Sequence, residues 1–213
     1  HFAGGRALQA IDSRRWDFVI LQEQSVFGAA TQSFASDDDN AGGRVEATLS
    51  PPTIFHESVR KFVPRIRAAR STPILLMTWA RRRYPQEQSA LTSAYESIGR
   101  ELKVTVSPAG LAWQEAQRRW PDLDLYLADG AHPNEAGTYL AACVLYTTLT
   151  GLEPRGAAAT ITGHAYSRRE GIVDLTQVVP LTSLTPELAA RLQEVAWSIG
   201  RSATAASRSA RSR

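Results

Sequence analysis

Two kinds of hydrophobic pattern alternate along the first half of the chain. Residues 16–21 and 74–78 are nearly continuous apolar runs, which are typical of strands buried on both faces of a parallel sheet. Residues 104–106 form a third, shorter run of the same kind. Over residues 53–70 and 88–103 the apolar side chains recur at three- and four-residue spacing, which predicts amphipathic helices.

The second half of the chain is predicted to be mainly helical. A helix over residues 108–120 begins at a proline and ends at a Trp-Pro pair, and a helix over residues 134–150 is ended by Gly151. Residues 152–183 are less regular and are predicted to form a short hairpin or an extended arm. A last amphipathic helix is predicted over residues 185–200.

The alternation of strands and helices predicts an α/β fold, with a parallel sheet covered by helices on both faces. We expect one domain over residues 1–200. Its core is predicted to span residues 1–150, and residues 151–200 supply the arm and the last helix. Residues 201–213 contain only Ser, Ala, Thr and Arg and are predicted to be a disordered basic tail.

The composition is that of a soluble globular protein, with 43% hydrophobic and 21% charged residues. No apolar run approaches the roughly 20 residues that a membrane-spanning helix needs. The formal net charge of +3 is concentrated in the tail, since the four arginines of residues 201–213 leave a net charge of −1 on the rest. A nearly neutral body does not favour nucleic acid as a partner, and binding of nucleic acid or anionic lipid by the tail is the lesser alternative.

The sequence also argues against a metal or a nucleotide cofactor. Cys143 is the single cysteine and lies in an apolar run, which indicates a buried core residue. The four histidines show no metal-ligand spacing, and there is no glycine-rich phosphate-binding motif.

Asp129 and His132 are the strongest chemical signal. On a turn, a carboxylate three residues before a histidine can accept a hydrogen bond from one imidazole nitrogen and leave the other nitrogen free to act as a base. Pro133 restricts the turn, and Asn134 can cap the helix that follows. The same spacing also occurs by chance at the start of helices, so it does not establish a catalytic pair by itself.

Three segments together resemble the SGNH/GDSL hydrolase superfamily. Asp129-Gly130-Ala131-His132 before a helix is similar to the last block of that superfamily. The run Leu21-Gln22-Glu23-Gln24-Ser25 and the run Thr78-Trp79-Ala80 resemble a bacterial branch of it. The resemblance covers residues 1–150 and implies a three-layer α/β/α sandwich with a flavodoxin-like parallel sheet.

The resemblance also implies roles for particular residues. His132 would be the general base, and Asp129 would orient it. The side-chain amide of Gln22 or Gln24 would donate to an oxyanion, although both residues can equally serve as hydrogen-bond anchors of a loop. Trp79 would line a substrate cleft, with core packing as the commoner alternative.

The chain departs from the superfamily pattern at the nucleophile. No Gly-Asp-Ser turn occurs in the sequence, so the first strand and the catalytic serine are expected upstream of residue 1. The resemblance therefore predicts a carboxylic-ester hydrolase with a Ser-His-Asp mechanism and a small-molecule ester substrate, whose present segment alone is inactive. The alternative is a non-catalytic α/β domain that binds a small molecule or a protein partner.

Overall fold

The computed structural model describes residues 5–23, 52–167 and 172–211. Within these ranges the helices are α1 (Arg6–Asp12), α2 (Pro52–Ala68), α3 (Gln88–Leu102), α4 (Ala109–Arg119), α5 (Glu135–Thr150) and α6 (Pro186–Arg211). The strands are β1 (Phe18–Gln22), β2 (Thr72–Leu76), β3 (Thr105–Ser107), β4 (Thr160–Ser167) and β5 (Ile172–Ser183). A short 3₁₀ helix at Pro85–Glu87 precedes α3.

β1, β2 and β3 form a parallel sheet in that order. Ile20 lies beside Ile74, which in turn lies beside Thr105. A helix connects each strand to the next, as parallel strands require. The predicted alternation of strands and helices is therefore confirmed, and all three carboxyl ends lie at one edge of the sheet.

Helices cover the sheet from two sides. Leu75 and Val106 point to one face and pack against α2 and α3. Ser107, the next residue after Val106, points to the opposite face, where its hydroxyl accepts a hydrogen bond of 3.2 Å from Thr148 of α5. This arrangement is the predicted three-layer α/β/α fold.

The prediction that β1 is buried on both faces is wrong. Phe18 is 40% exposed and Ile20 is 41% exposed, whereas Val19 and Leu21 are half-buried against α1 and α2. Within the described residues β1 pairs only with β2, and α5 and α6 contact β3 instead. An apolar run predicts that a strand forms, but it does not show which elements cover that strand.

Residues 152–183 contain a longer hairpin than predicted. β4 and β5 pair antiparallel, and β5 alone has 12 residues. The hairpin is attached beside the start of α5, because the backbone N–H of Ser183 donates to a carboxylate oxygen of Glu135 at 2.9 Å. Its exposed apolar side chains are Ile161, Val173, Leu175, Val178 and Leu181.

The predicted end of the last helix is also corrected. α6 continues to Arg211, so residues 201–211 are helical rather than a tail without regular structure. Alanine and arginine are strong helix formers, and no proline or glycine follows Gly200 to stop the helix.

Besides the apolar residues packed between the sheet and helices α2 and α3, a second cluster of buried apolar residues joins α4, α5 and α6. Cys143 of α5 lies in it and is 5% exposed, as predicted, and burial raises the pKa of its thiol to about 11. No helix among the described residues combines the length and the apolar character needed to cross a bilayer. Likewise, the described ranges contain no cluster of three or more histidine, cysteine or acidic side chains suited to a metal ion.

Candidate functional site

Asp129 and His132 lie on a tight loop between α4 and α5. The N–H of Leu127 donates to the carbonyl of His132 at 2.8 Å, and the N–H of Gly130 donates back to the carbonyl of Leu127 at 3.0 Å. Gly130 has a positive φ of 67°, a conformation that glycine adopts without steric cost. This backbone places the carboxylate and the imidazole on the same side of the turn.

Asp129 is bonded to the turn through both carboxylate oxygens. Oδ1 accepts from the backbone N–H groups of Ala131 and His132 at 2.8 and 2.9 Å. Oδ2 lies 2.6 Å from Nδ1 of His132. Because an ionised carboxylate can only accept, Nδ1 carries the shared proton and Nε2 is the nitrogen with the lone pair.

The pKa of Asp129 is well below that of a free aspartate. The N–H of Ala131 is the largest cause, and the ring and backbone N–H groups of His132 add to it, so that together they lower the pKa to about 2. The carboxylate therefore stays charged at every pH at which an esterase would work. A charged partner fixes the tautomer of the imidazole.

The imidazole of His132 remains accessible. Its side chain is 63% exposed, compared with 30% for that of Asp129. Within the described ranges Nε2 has no hydrogen-bond partner. An oriented imidazole with a free Nε2 can accept a proton from a nucleophile or from water and return it to a leaving group.

Asn134 fixes the junction between the turn and α5. Its Oδ1 accepts from the N–H of Gly137 at 3.0 Å, which is an N-cap contact, and its Nδ2 donates to the carbonyl of Asp124 at 2.9 Å. The predicted capping role is confirmed. The cap ties the start of a buried helix to the segment that leads into the turn.

Trp79 lies against the turn but offers little surface to a ligand. Its indole is 7% exposed and stacks on Trp113 with 4.0 Å between the ring centroids. Its Nε1–H donates to the carbonyl of Ala131 at 3.0 Å. The structure therefore favours the core-packing alternative over a cleft wall, and it places this residue in contact with the backbone of the candidate site.

The two glutamines are less closely connected to the turn. Gln22 ends β1 and is exposed, with no hydrogen bond to Asp129 or His132 in the described residues. The following residue is anchored from α3, because the N–H of Glu23 donates to the buried hydroxyl of Tyr95 at 3.0 Å. Gln24 lies outside the described residues.

Two residues that sequence reasoning missed also brace the turn. The backbone N–H of Arg82 donates to the carbonyl of Gly130 at 2.8 Å, and its guanidinium donates to Asp124 at 2.6 Å. The hydroxyl of Tyr126 donates to the carbonyl of Ala80 at 2.7 Å. Neither residue carries a local signal, since both contacts join loops that are more than forty residues apart in the sequence.

Comparison with solved structures identifies the fold. The chain matches a protein of Slackia heliotrinireducens, proposed to be an SGNH hydrolase, with a TM-score of 0.53, 23% identity and coverage of 70% of this chain and 74% of that chain. It also matches the crystal structure of a DUF4886 family protein from Bacteroides uniformis, with a TM-score of 0.57, 18% identity and coverage of 90% of this chain and 65% of that one. The chain therefore has an SGNH-like α/β/α fold.

Sequence comparison adds no further relative. Neither a scan against protein-family models nor a search of curated proteins returned a match.

Proposed function

We propose that, on this SGNH-like fold, Asp129 and His132 are the acid–base part of a Ser-His-Asp site that hydrolyses carboxylic esters. The observation that supports the proposal most directly is the 2.6 Å contact between Nδ1 of His132 and Oδ2 of Asp129. It is the contact that a serine hydrolase needs in order to orient its base, and it lies on an exposed turn that a substrate can reach.

In this proposal the nucleophile is a serine supplied by the upstream part of the full-length protein. Nε2 of His132 takes the serine proton as the hydroxyl oxygen attacks the ester carbonyl, whose π electrons move to the oxygen. When the tetrahedral intermediate collapses, the imidazolium gives that proton to the departing alcohol. Water then repeats the sequence on the acyl-enzyme and releases the acid.

The oxyanion needs a donor that the acid–base pair does not supply. We propose Gln22 or Gln24, because the carboxyl edge of a parallel sheet is where ligands gather and β1 ends there. An oxyanion donor must lie about 2.7–3.1 Å from the oxygen. Replacing each glutamine separately with alanine distinguishes them, since only the true donor lowers kcat by about 10²–10³.

The proposal is tested on the full-length protein with p-nitrophenyl esters of increasing acyl length. His132→Gln is expected to lower kcat by several orders of magnitude, and Asp129→Asn by about 10⁴, the loss seen for the equivalent change in trypsin-like enzymes. His164→Gln, on the exposed β4 strand, is the matched control and leaves kcat unchanged. Activity that survives His132→Gln would contradict the proposal.

A labelling experiment on the same full-length protein distinguishes the esterase from the alternative, a non-catalytic binding domain. Within the described residues no serine or cysteine is hydrogen-bonded to His132, so the alternative of a non-catalytic binding domain is decided by whether the full-length protein carries an activated serine. A fluorophosphonate probe labels the full-length protein if an activated serine is present. Failure of labelling together with absence of hydrolysis would favour the binding domain.

A further inference from the structure

The peptide unit between Ala131 and His132 is held from both sides. On one side the N–H of His132 donates to Oδ1 of Asp129 at 2.9 Å. On the other side the carbonyl of Ala131 accepts from Nε1–H of Trp79 at 3.0 Å. Because a trans peptide is planar and its N–H and C=O point in opposite directions, these two contacts together fix the rotation of this unit.

The Trp79 donor is itself held firmly by the core. Its ring is nearly parallel to that of Trp113, with 9° between the planes, and Trp113 is 1% exposed. Trp79 follows the end of β2 by three residues, so its backbone starts from the carboxyl edge of the sheet. A rigid donor of this kind sets the position of its acceptor rather than adapting to it.

The direction of the imidazole depends on this peptide. The Cα of His132 belongs to the peptide plane that Trp79 and Asp129 hold. Rotation of this plane would break the contact from the His132 N–H to Oδ1 of Asp129 and change the angle at which the imidazole meets Oδ2 of Asp129. Displacements of about 1 Å at a catalytic group cost roughly 10²-fold in rate. The orientation of this peptide therefore matters to any proton transfer at Nε2.

We propose that Trp79 is a positioning residue, whose indole N–H fixes the Ala131–His132 peptide and thereby the angle at which His132 meets Asp129. The catalytic consequence rests on the function proposed above, whereas the positioning contact does not. Trp79 would then act on the reaction without touching the substrate.

The first test uses Trp79→Phe in the chain described here. Phenylalanine keeps an aromatic ring on Trp113 but removes the N–H donor. Nitrogen-15 NMR of the His132 ring should show loss of the single Nδ1–H tautomer. Carbon-13 titration should show the pKa of Asp129 rising only in part above about 2, because the N–H of Ala131, the largest cause of the lowered pKa, belongs to the preceding peptide. In the full-length enzyme kcat should fall by roughly 10- to 100-fold with KM unchanged.

Trp120→Phe is the matched control. It removes an indole N–H from a residue that packs against the same core cluster but follows α4 and, within the described residues, makes no hydrogen bond to the turn of Asp129 and His132. It should leave the tautomer, the pKa of Asp129 and kcat as they are. Equal changes in both variants, or no change in Trp79→Phe, would overturn the proposal.

A second test does not need Trp79→Phe to fold. Because coupling between two contacts on one peptide is reciprocal, Asp129→Ala, which removes the oxygen that accepts from the His132 N–H, should loosen the peptide and speed hydrogen exchange of the Trp79 indole proton by at least about tenfold. The indole proton of Trp120 should exchange at an unchanged rate. An unchanged rate at Trp79 would overturn the positioning role, whereas absence of esterase activity with these NMR changes intact would overturn only the proposed function.

Discussion

The indole rings of Trp79 and Trp113 stack with 4.0 Å between their centroids, and this pair joins the candidate site to the core of α4, α5 and α6. Trp113→Ala removes a ring that is 1% exposed and leaves a cavity beneath Trp79. We expect a loss of about 3–5 kcal/mol in the free energy of unfolding, measured by chemical denaturation. Trp120→Ala, at a partly buried position, should cost clearly less, and equal losses would contradict this account.

Gly137 allows α5 to approach both Trp113 and the segment before the turn. A Cβ atom at this position would lie 2.3 Å from the carbonyl oxygen of Leu125 and 2.3 Å from a ring carbon of Trp113. Gly137→Ala should therefore destabilise the protein by about 1–3 kcal/mol in thermal or chemical unfolding, despite alanine's higher helix propensity. Thr138→Ala, at the next and exposed position, should change stability by less than about 0.5 kcal/mol.

Asn134 makes two contacts that substitutions can separate. Asn134→Ala removes the cap to Gly137 and the bond to Asp124, and should cost about 1–2 kcal/mol in unfolding experiments. Asn134→Asp keeps an oxygen for the cap and loses only the Nδ2 donor, so its cost should be smaller. If the aspartate variant is as unstable as the alanine variant, the cap contributes little and the bond to Asp124 dominates.

Within α4 the carboxylate of Glu115 contacts two arginines one turn further on, Arg118 and Arg119, and Arg119 also contacts Glu194 of α6. The bond from Arg118 is the largest cause that lowers the pKa of Glu115 from 4.5 to about 2. A lowered folded-state pKa means that the unfolded chain binds the proton more readily. The stabilisation by this group is therefore complete above pH 4.5 and is lost as the pH falls to about 2.

Glu115→Gln should make the free energy of unfolding depend less steeply on pH in this acidic range. Unfolding measured between pH 5 and pH 2 should lose less free energy in the variant than in the parent protein. Asp129 contributes in the same acidic window, because its pKa is also about 2, so Asp129→Asn should remove a second, separate part of the slope. A parent-like slope in Glu115→Gln would show that the arginine contacts do not contribute.

The sequence predicted the elements whose pattern reflects local burial. The spacing of apolar residues in α2 and α3 follows directly from one face packing on the sheet, and Asn134 and Gly151 mark the ends of α5 through their own cap chemistry. Asp129 and His132 could be paired because three residues on a turn bring them together whatever surrounds them. These predictions needed no knowledge of distant contacts.

The features that were missed all depend on tertiary structure. The bond from Trp79 to Ala131 joins residues 52 positions apart, and Arg82 reaches Asp124 across 42 positions. The exposure of Phe18 and Ile20 depends on which helix lies over the sheet rather than on the residues of β1. No local pattern records such neighbours, so the residues that position the candidate base were visible only in the folded chain.

Ile20 is the residue at which the exposed face of β1 can be tested. β1 is an edge strand of the described sheet and presents Phe18 and Ile20 beside unpaired backbone groups, a combination that promotes association between chains. We expect this chain to self-associate with increasing concentration in sedimentation experiments. Ile20→Lys should shift it toward monomer, because a charge on an edge strand opposes pairing, whereas Ile54→Lys, at a 50% exposed position on α2, should not. A strictly monomeric parent chain with a sharp unfolding transition would contradict the prediction, since nothing would then be pairing with this edge.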